Sequence, residues 1–213
     1  MKKDNIIPIN FYTQDDVVSL ARQLTGKLLV HQSPKGTMAG IIIETEAYAG
    51  AIDKASHAFN NRLTKRTEVL YRNGGIAYVY LCYGIHALLN VVTNTTGVPH
   101  AVLIRGILPV QGLDLMEEQI NRKINILKDG IGPGRLTRIM GIKRDLNGPK
   151  LNGSSALHIE EKGLKIAPEM IVAGPRIGVD YAGEDALLPY RFKIEASYAL
   201  QEIRKAGLLS SQP

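Results

Sequence analysis

Ile41-Ile42-Ile43-Glu44-Thr45-Glu46-Ala47-Tyr48 decides the reading of this chain. Three apolar β-branched residues run directly into two carboxylates and a tyrosine. The isoleucines favour a buried strand. Side chains alternate along a strand, so Glu44, Glu46 and Tyr48 share one face if the strand stays regular, with Cα atoms roughly 6–7 Å apart. Burial raises a glutamate pKa and a nearby arginine lowers it. Two carboxylates on one face, abutting an apolar run, are not a typical solvated surface. Taken alone, the pattern also describes an edge strand whose polar face meets water, which is the commoner case.

A second segment alters that balance. Ile76-Ala77-Tyr78-Val79-Tyr80-Leu81-Cys82-Tyr83 has strong strand propensity and follows the turn Gly74-Gly75. Gly84 interrupts it, and Ile85 to Val92 returns as a second strand, giving a β-hairpin with Tyr83 at its tip or shoulder. Tyr78 and Tyr80 share a face. A three-residue loop, Tyr83-Gly84-Ile85, puts Asn90 opposite Tyr78 on that face, whereas a two-residue loop sends it to the other. Any one of these tyrosines could simply be an amphipathic packing residue with a wet hydroxyl.

Together these residues resemble the alkyladenine (3-methyladenine) DNA glycosylase family, whose members lack a helix-hairpin-helix domain. The matching text is Glu44-Thr45-Glu46-Ala47-Tyr48, His57, Arg62-Leu63-Thr64-Lys65-Arg66, Tyr78-Val79-Tyr80, Tyr83-Gly84 and Asn90. Leu103-Ile104-Arg105, Gly132-Pro133-Gly134-Arg135-Leu136-Thr137 and Arg176-Ile177-Gly178-Val179 follow in order. The matches run from about residue 10 to 195, and it is the ordered set that is specific. Thr67-Glu68-Val69-Leu70-Tyr71 departs from the Asn-x-x-Met-Phe-like text more frequent in the family, and His86 stands where some relatives carry another aromatic residue.

The resemblance implies a monofunctional enzyme that flips alkylated or deaminated purines out of duplex DNA. It would hydrolyse the N-glycosidic bond and leave an abasic site. Glu46 is implied as the general base, a role that alternation along the strand leaves open between Glu44 and Glu46, and Arg105 as the residue that holds the water or Glu46. Tyr48, His57 and Tyr80 are implied to hold the base, with Asn90 at its edge and the Ile177 carbonyl on the attacking water. Tyr83 is implied as the wedge that fills the vacated stack, and Arg62, Thr64 and Arg66 as contacts to flanking phosphates. No cofactor or metal ion is implied, and no lysine in the matched set could form a Schiff base. Two other readings fit the same residues in part: a carbohydrate hydrolase using Glu44 and Glu46 as its acid pair, and a non-catalytic nucleic-acid-binding module.

Composition is compatible with a polyanionic partner. The chain has 213 residues, 26 Lys and Arg against 20 Asp and Glu, and a net charge of +6. That length can build one sizeable core, and we expect one domain over residues 1–213, acting as a monomer. The single cysteine, Cys82, excludes an intrachain disulfide or a four-cysteine cluster and suits a reducing compartment. No apolar run reaches the length of a membrane span and none follows Met1-Lys2-Lys3, so a cytoplasmic location, at the nucleoid in a bacterium, is expected.

The remainder reads as a mixed α/β domain with a curved, mainly antiparallel sheet, flanking helices and a protruding β-hairpin. Thr13 is positioned to cap a helix that stops at Gly26. Leu28-Leu29-Val30 and Ile41-Ile42-Ile43 pair across Ser33-Pro34-Lys35-Gly36, and Ala101 to Arg105 is a strand. Helical spacing of apolar residues predicts a helix over Leu113 to Leu127, and a short helix follows over Leu136 to Met140. Lys143 to Gly153 is a polar connection, while Leu157-His158-Ile159 and Ile177-Gly178-Val179 are late strands. The tail from about residue 201 is expected to fray.

Overall fold

The structure is a computed structural model describing residues 5–161, 164 and 166–209. After a one-turn helix, α1 (Ile9–Tyr12), comes α2 (Val17–Leu24). Its cap is Asp16, whose carboxylate accepts the Val18 and Ser19 N–H groups at 2.9 and 3.0 Å. The Thr13 cap expected from sequence is not formed. The Thr13 hydroxyl donates instead to the Asn10 carbonyl at the end of α1.

Strands β1 (Leu28–Ser33) and β2 (Gly36–Tyr48) form the expected hairpin. Strands β3 (Ile76–Cys82), β4 (His86–Thr93) and β5 (His100–Gln111) follow, and later β6 (Leu157–Glu160), β7 (Ile171–Gly174) and β8 (Arg191–Ile194). All pairings are antiparallel, in the order β3-β4-β5-β2-β1-β6, with β8 bridging β2 and β7. The architecture is thus the mixed α/β fold with a curved antiparallel sheet.

The core explains why β2 is apolar on both sides. Ile42 packs with Leu20, Ala21 and Leu24 of α2, while Ile41 and Ile43 pack with Ala199, Leu200 and Ile203 of the C-terminal helix α5 (Ala196–Lys205). Beyond Ile43 the phase changes. Thr45 donates to the Ala21 carbonyl of α2 at 2.8 Å, and Ala47 joins the α2 cluster. The cause is a break in register with β5 at Ile42/Glu44 and Glu44/Thr45, a bulge opposite Gly106. It moves Glu44, Glu46 and Tyr48 off the α2 face that regular alternation from Ile42 would give them, yet keeps all three together.

Several local expectations need correction. The helix expected over Leu113 to Leu127 is shorter: α3 (Leu113–Ile120) stops because Asn121 turns left-handed at φ 55° and the next backbone groups are taken by carboxylates. Glu117 accepts the Ile124 N–H and Asp129 accepts the Asn125 N–H. Helix α4 covers Pro133–Ile139. Ile177-Gly178-Val179 is a loop rather than a strand: Gly178 has φ 75°, and the Ile177 N–H is bound by a side chain instead of a sheet partner. Gln201 to Lys205 does not fray but completes α5, where Ile203 is fully buried. Residues 210–213 of that tail lie outside the described residues. Among the described residues, no helix is long and apolar enough to cross a membrane.

Candidate active site

One transverse row of the sheet assembles the site. Tyr78 pairs with Asn90, Asn90 with Leu103, Leu103 with Glu46 and Glu46 with Arg191. Directly opposed residues of neighbouring strands share a face. The row therefore carries the hairpin tyrosine to the carboxylate across four strands. The Tyr78–Asn90 pairing is the register of the three-residue loop, in which the Ile85 N–H donates to the Cys82 carbonyl and Tyr83 and Gly84 both have positive φ. Tyr83 stands at the tip, 94 % exposed.

Glu46 is completely buried. Its Oε1 accepts the Ile177 N–H at 2.8 Å and lies 3.4 Å from Arg105 Nε, while its Oε2 accepts the Tyr48 hydroxyl at 2.8 Å. Burial pushes its pKa above the ordinary carboxylate value; Arg105, the Ile177 N–H and the Tyr48 hydroxyl pull it back, and Glu44 adds a smaller upward push. Glu44 is held differently. Its Oε1 accepts from Arg105 Nε at 3.3 Å and from Arg191 Nη1 at 3.1 Å. Gly106 gives this carboxylate room, since a Cβ there would lie 3.2 Å from Glu44 Cβ.

A cavity of about 460 Å³ opens over the row, walled by Tyr48, His57, Tyr78, Tyr80, Asn90 and Arg105 among others. Glu46 sits behind this wall, touching it through Tyr48, Arg105 and Ile177. The His57 ring meets Tyr80 edge-on at 4.7 Å. Its Nε2 lies 3.2 Å from an Arg66 Nη, which can only donate, so Nε2 accepts and Nδ1 carries the proton toward the Tyr78 hydroxyl at 3.2 Å. Burial, with Arg66 and Arg62 nearby, lowers the His57 pKa to about 4, so the ring is neutral at pH 7. Asn90 is buried and donates to the Tyr78 carbonyl at 3.2 Å.

Arg62, Thr64 and Arg66 line an adjoining cavity of about 300 Å³ together with Lys54. The Thr64 hydroxyl also pairs with Thr67, closing that turn. Arg66 faces both cavities, its guanidinium 4.8 Å from the Tyr80 ring centroid. Ile177 is half exposed at the cavity wall, and the group it turns toward Glu46 is its N–H rather than its carbonyl.

Sequence reasoning gave no role to Asp53, Arg176, Arg191 or Tyr181. Arg176 and Asp53 form a buried ion pair beside Tyr48, and Tyr181 stands 72 % exposed where the two cavities meet. Arg176 was visible only as the first residue of the matched Arg176-Ile177-Gly178-Val179. Among the described residues no cluster of three or more His, Cys, Asp or Glu could hold a metal ion.

The site thus combines a buried carboxylate, an aromatic-walled cavity in front of it and an exposed tyrosine at the tip of a hairpin of the same antiparallel sheet. Residues 10–198 match the family model described as methylpurine-DNA glycosylase (MPG). The chain is 45 % identical over 190 residues to a protein of Chlamydia felis (strain Fe/C-56), covering 88 % of this chain and 95 % of that one. It is 45 % identical over 187 residues to one of Methanocella arvoryzae, covering 88 % and 91 % of the two chains. It is 44 % identical over 192 residues to one of Bacillus subtilis (strain 168), covering 90 % and 94 %. All three are named provisionally as 3-methyladenine DNA glycosylases. The chain belongs to the methylpurine-DNA glycosylase family, the DNA-repair hydrolases that act on N-glycosyl bonds.

Proposed function

We propose that this protein is a monofunctional purine DNA glycosylase that flips 3-methyladenine, 7-methylguanine or hypoxanthine out of duplex DNA and hydrolyses its bond to the sugar. The observation that carries the reading is Glu46, a buried carboxylate of raised proton affinity directly behind a cavity walled by aromatic rings. Glu46 takes a proton from a water that attacks C1′. The C1′–N bond breaks, and its electron pair leaves with the purine. A raised pKa brings a carboxylate closer to the value at which a general base works best near neutrality, and its charge steadies the oxocarbenium-like sugar. Arg105 keeps it ionised from 3.4 Å.

Base selection rests on the cavity. Tyr48 and Tyr80 offer ring faces, and such faces attract a cationic alkylpurine by roughly 0.5–2 kcal/mol. Neutral His57 adds a ring without adding a charge that would repel that cation. A purine already positive leaves without protonation, whereas hypoxanthine needs a proton on its ring. Asn90 borders the base edge, where a mismatch rejects normal guanine. Tyr83, exposed at the hairpin tip, fills the gap in the stack, and Arg62, Thr64 and Arg66 meet the flanking phosphates. No lysine is among the residues that line the main cavity, in keeping with hydrolysis rather than lyase chemistry.

The carbohydrate-hydrolase reading fits poorly. Its two carboxyls must flank a scissile bond, but Glu44 and Glu46 lie on one strand and share Arg105 Nε at 3.3 and 3.4 Å. The test is incubation with duplex DNA carrying one hypoxanthine or methylated purine, followed by alkali. Breakage at the lesion only after alkali is expected; breakage before alkali would mean lyase activity, and no breakage would refute the reading.

A further inference from the structure

Arg176 is used in none of these steps, yet its side chain is wholly enclosed. Nη1 donates to the Ala47 carbonyl at 2.9 Å, and both terminal nitrogens bind the Asp53 carboxylate. Nη2 also reaches the Asp185 carbonyl at 3.0 Å. Asp53 is pinned in turn, accepting the Ala49 and Ala55 N–H groups at 3.0 Å. The guanidinium carbon lies 4.9 Å from the Tyr48 ring centroid and 5.3 Å from that of Tyr190. Tyr48 lines the cavity and Arg176 does not, so the cation stands behind the ring, away from the cavity.

The placement links both groups that hydrogen-bond Glu46. Ala47, whose carbonyl Arg176 grips, connects Glu46 to Tyr48. Ile177, whose N–H binds Glu46, is the residue next to Arg176. A fold anchor would need only the Asp53 pair, while Arg176 also stacks on Tyr48 and leaves its own Nε buried without a partner.

We propose that Arg176, braced by Asp53, is a positioning residue for Glu46, holding Tyr48 and Ile177 so that their two hydrogen bonds keep the carboxylate aimed and ionised. The inference rests on the reading of Glu46 as the base. The charged and titratable groups around Glu46 are Glu44 and Tyr48 on β2, Arg105 on β5, Arg191 on β8 through Glu44, Tyr80 on β3 through Tyr48, and Arg176 and Tyr181 from the loop and turns between β7 and β8. Arg176 makes no direct bond to Glu46; its charge favours the ionised carboxylate from a distance, and its contacts act through Tyr48 and the Ile177 N–H. Losing hydrogen bonds to the ionised form raises a carboxylate pKa.

The test is single-turnover excision from a hypoxanthine duplex as a function of pH, with lesion-DNA affinity and melting temperature measured alongside. Arg176→Met should move the acid limb of the rate profile to higher pH and lower the plateau rate about tenfold or more, with affinity changed less than about threefold. Arg176→Lys, which keeps a cation against Asp53 and Tyr48, should return the limb most of the way. A purely structural role predicts a lower melting temperature and active fraction with the limb unmoved, which would overturn the proposal. Should Arg176→Met fail to fold, Asp53→Asn loosens the same brace. It should give the same upward shift, and an unmoved limb there is equally contrary. A wild-type protein inert on hypoxanthine and methylpurine duplexes defeats the glycosylase reading and this inference with it. An active wild type with an unmoved limb in Arg176→Met defeats this inference alone.

Discussion

The Tyr48 hydroxyl donates to Glu46 Oε2 at 2.8 Å, so the ring at the cavity wall and the carboxylate behind it are one unit. That bond favours ionised Glu46, and burial opposes it. Tyr48→Phe removes the bond and keeps the ring. We predict that the acid limb of excision moves to higher pH, because Glu46 then holds its proton more tightly. The check is a single-turnover pH profile; a limb shifted to lower pH would contradict the pairing.

The two carboxylates of β2 should separate by function. Glu44 holds Arg105 and Arg191, whereas Glu46 receives Tyr48 and Ile177. Glu44→Gln is expected to slow excision less than Glu46→Gln in parallel single-turnover assays. A larger loss at Glu44 would reverse the assignment.

Tyr83 and Tyr80 should also differ. Tyr83 is almost fully exposed at the hairpin tip, and Tyr80 lines the cavity against His57. Stacking is worth about 1–3 kcal/mol per base, so Tyr83→Ala should slow excision from duplex DNA about tenfold or more and spare single-stranded DNA. Tyr80→Ala should harm both. Equal losses on the two DNA forms for Tyr83→Ala would remove the wedge role.

Gly106 is predicted to be a stability determinant. Any Cβ there meets Glu44 Cβ at 3.2 Å at the bulge that sets the phase of β2. Gly106→Val should cost about 1–3 kcal/mol by overpacking, read from urea denaturation. An unchanged midpoint would show that the strand yields freely at this point.

Much of this site is legible in sequence because its parts are local. Ile41 to Tyr48 and the hairpin from Ile76 to Val92 carry strand propensity, alternation and turn glycines in continuous text. The hairpin leaves only the loop length open, and the Tyr78–Asn90 pairing decides it. The bulge is not legible from β2 alone, because it is a matter of register with β5, where Glu44 comes to face Gly106. The Asp53–Arg176 pair joins residues 123 positions apart with no periodicity to announce it. Strands β7 and β8 have four residues each, too few for a pattern, and Ile177 serves the site through a backbone N–H that no side-chain reading reveals. Helix α5 runs against the general tendency of termini to fray, and Ala199, Leu200 and Ile203 recurring at helical spacing are its sequence signal.

Burying an ionisable carboxylate should carry a stability penalty that activity justifies. The folded-state pKa of Glu46 lies above its unfolded value, so its ionised form is disfavoured in the folded protein. The penalty is absent below the unfolded pKa and develops as pH rises through the folded one. Glu46→Gln should therefore melt at a higher temperature than the wild type at neutral pH, with the difference closing in acid. A variant that melts lower at neutral pH and catches up only in acid would contradict the sign.

Whether Glu46 activates the water is decided by single-turnover excision of one hypoxanthine in duplex DNA by Glu46→Gln, with binding to the same duplex measured in parallel. Removing a general base costs about 10²–10⁴-fold. The predicted result is a loss of that size with lesion-DNA affinity retained. Near-wild-type excision by Glu46→Gln would show that Glu46 is not the base.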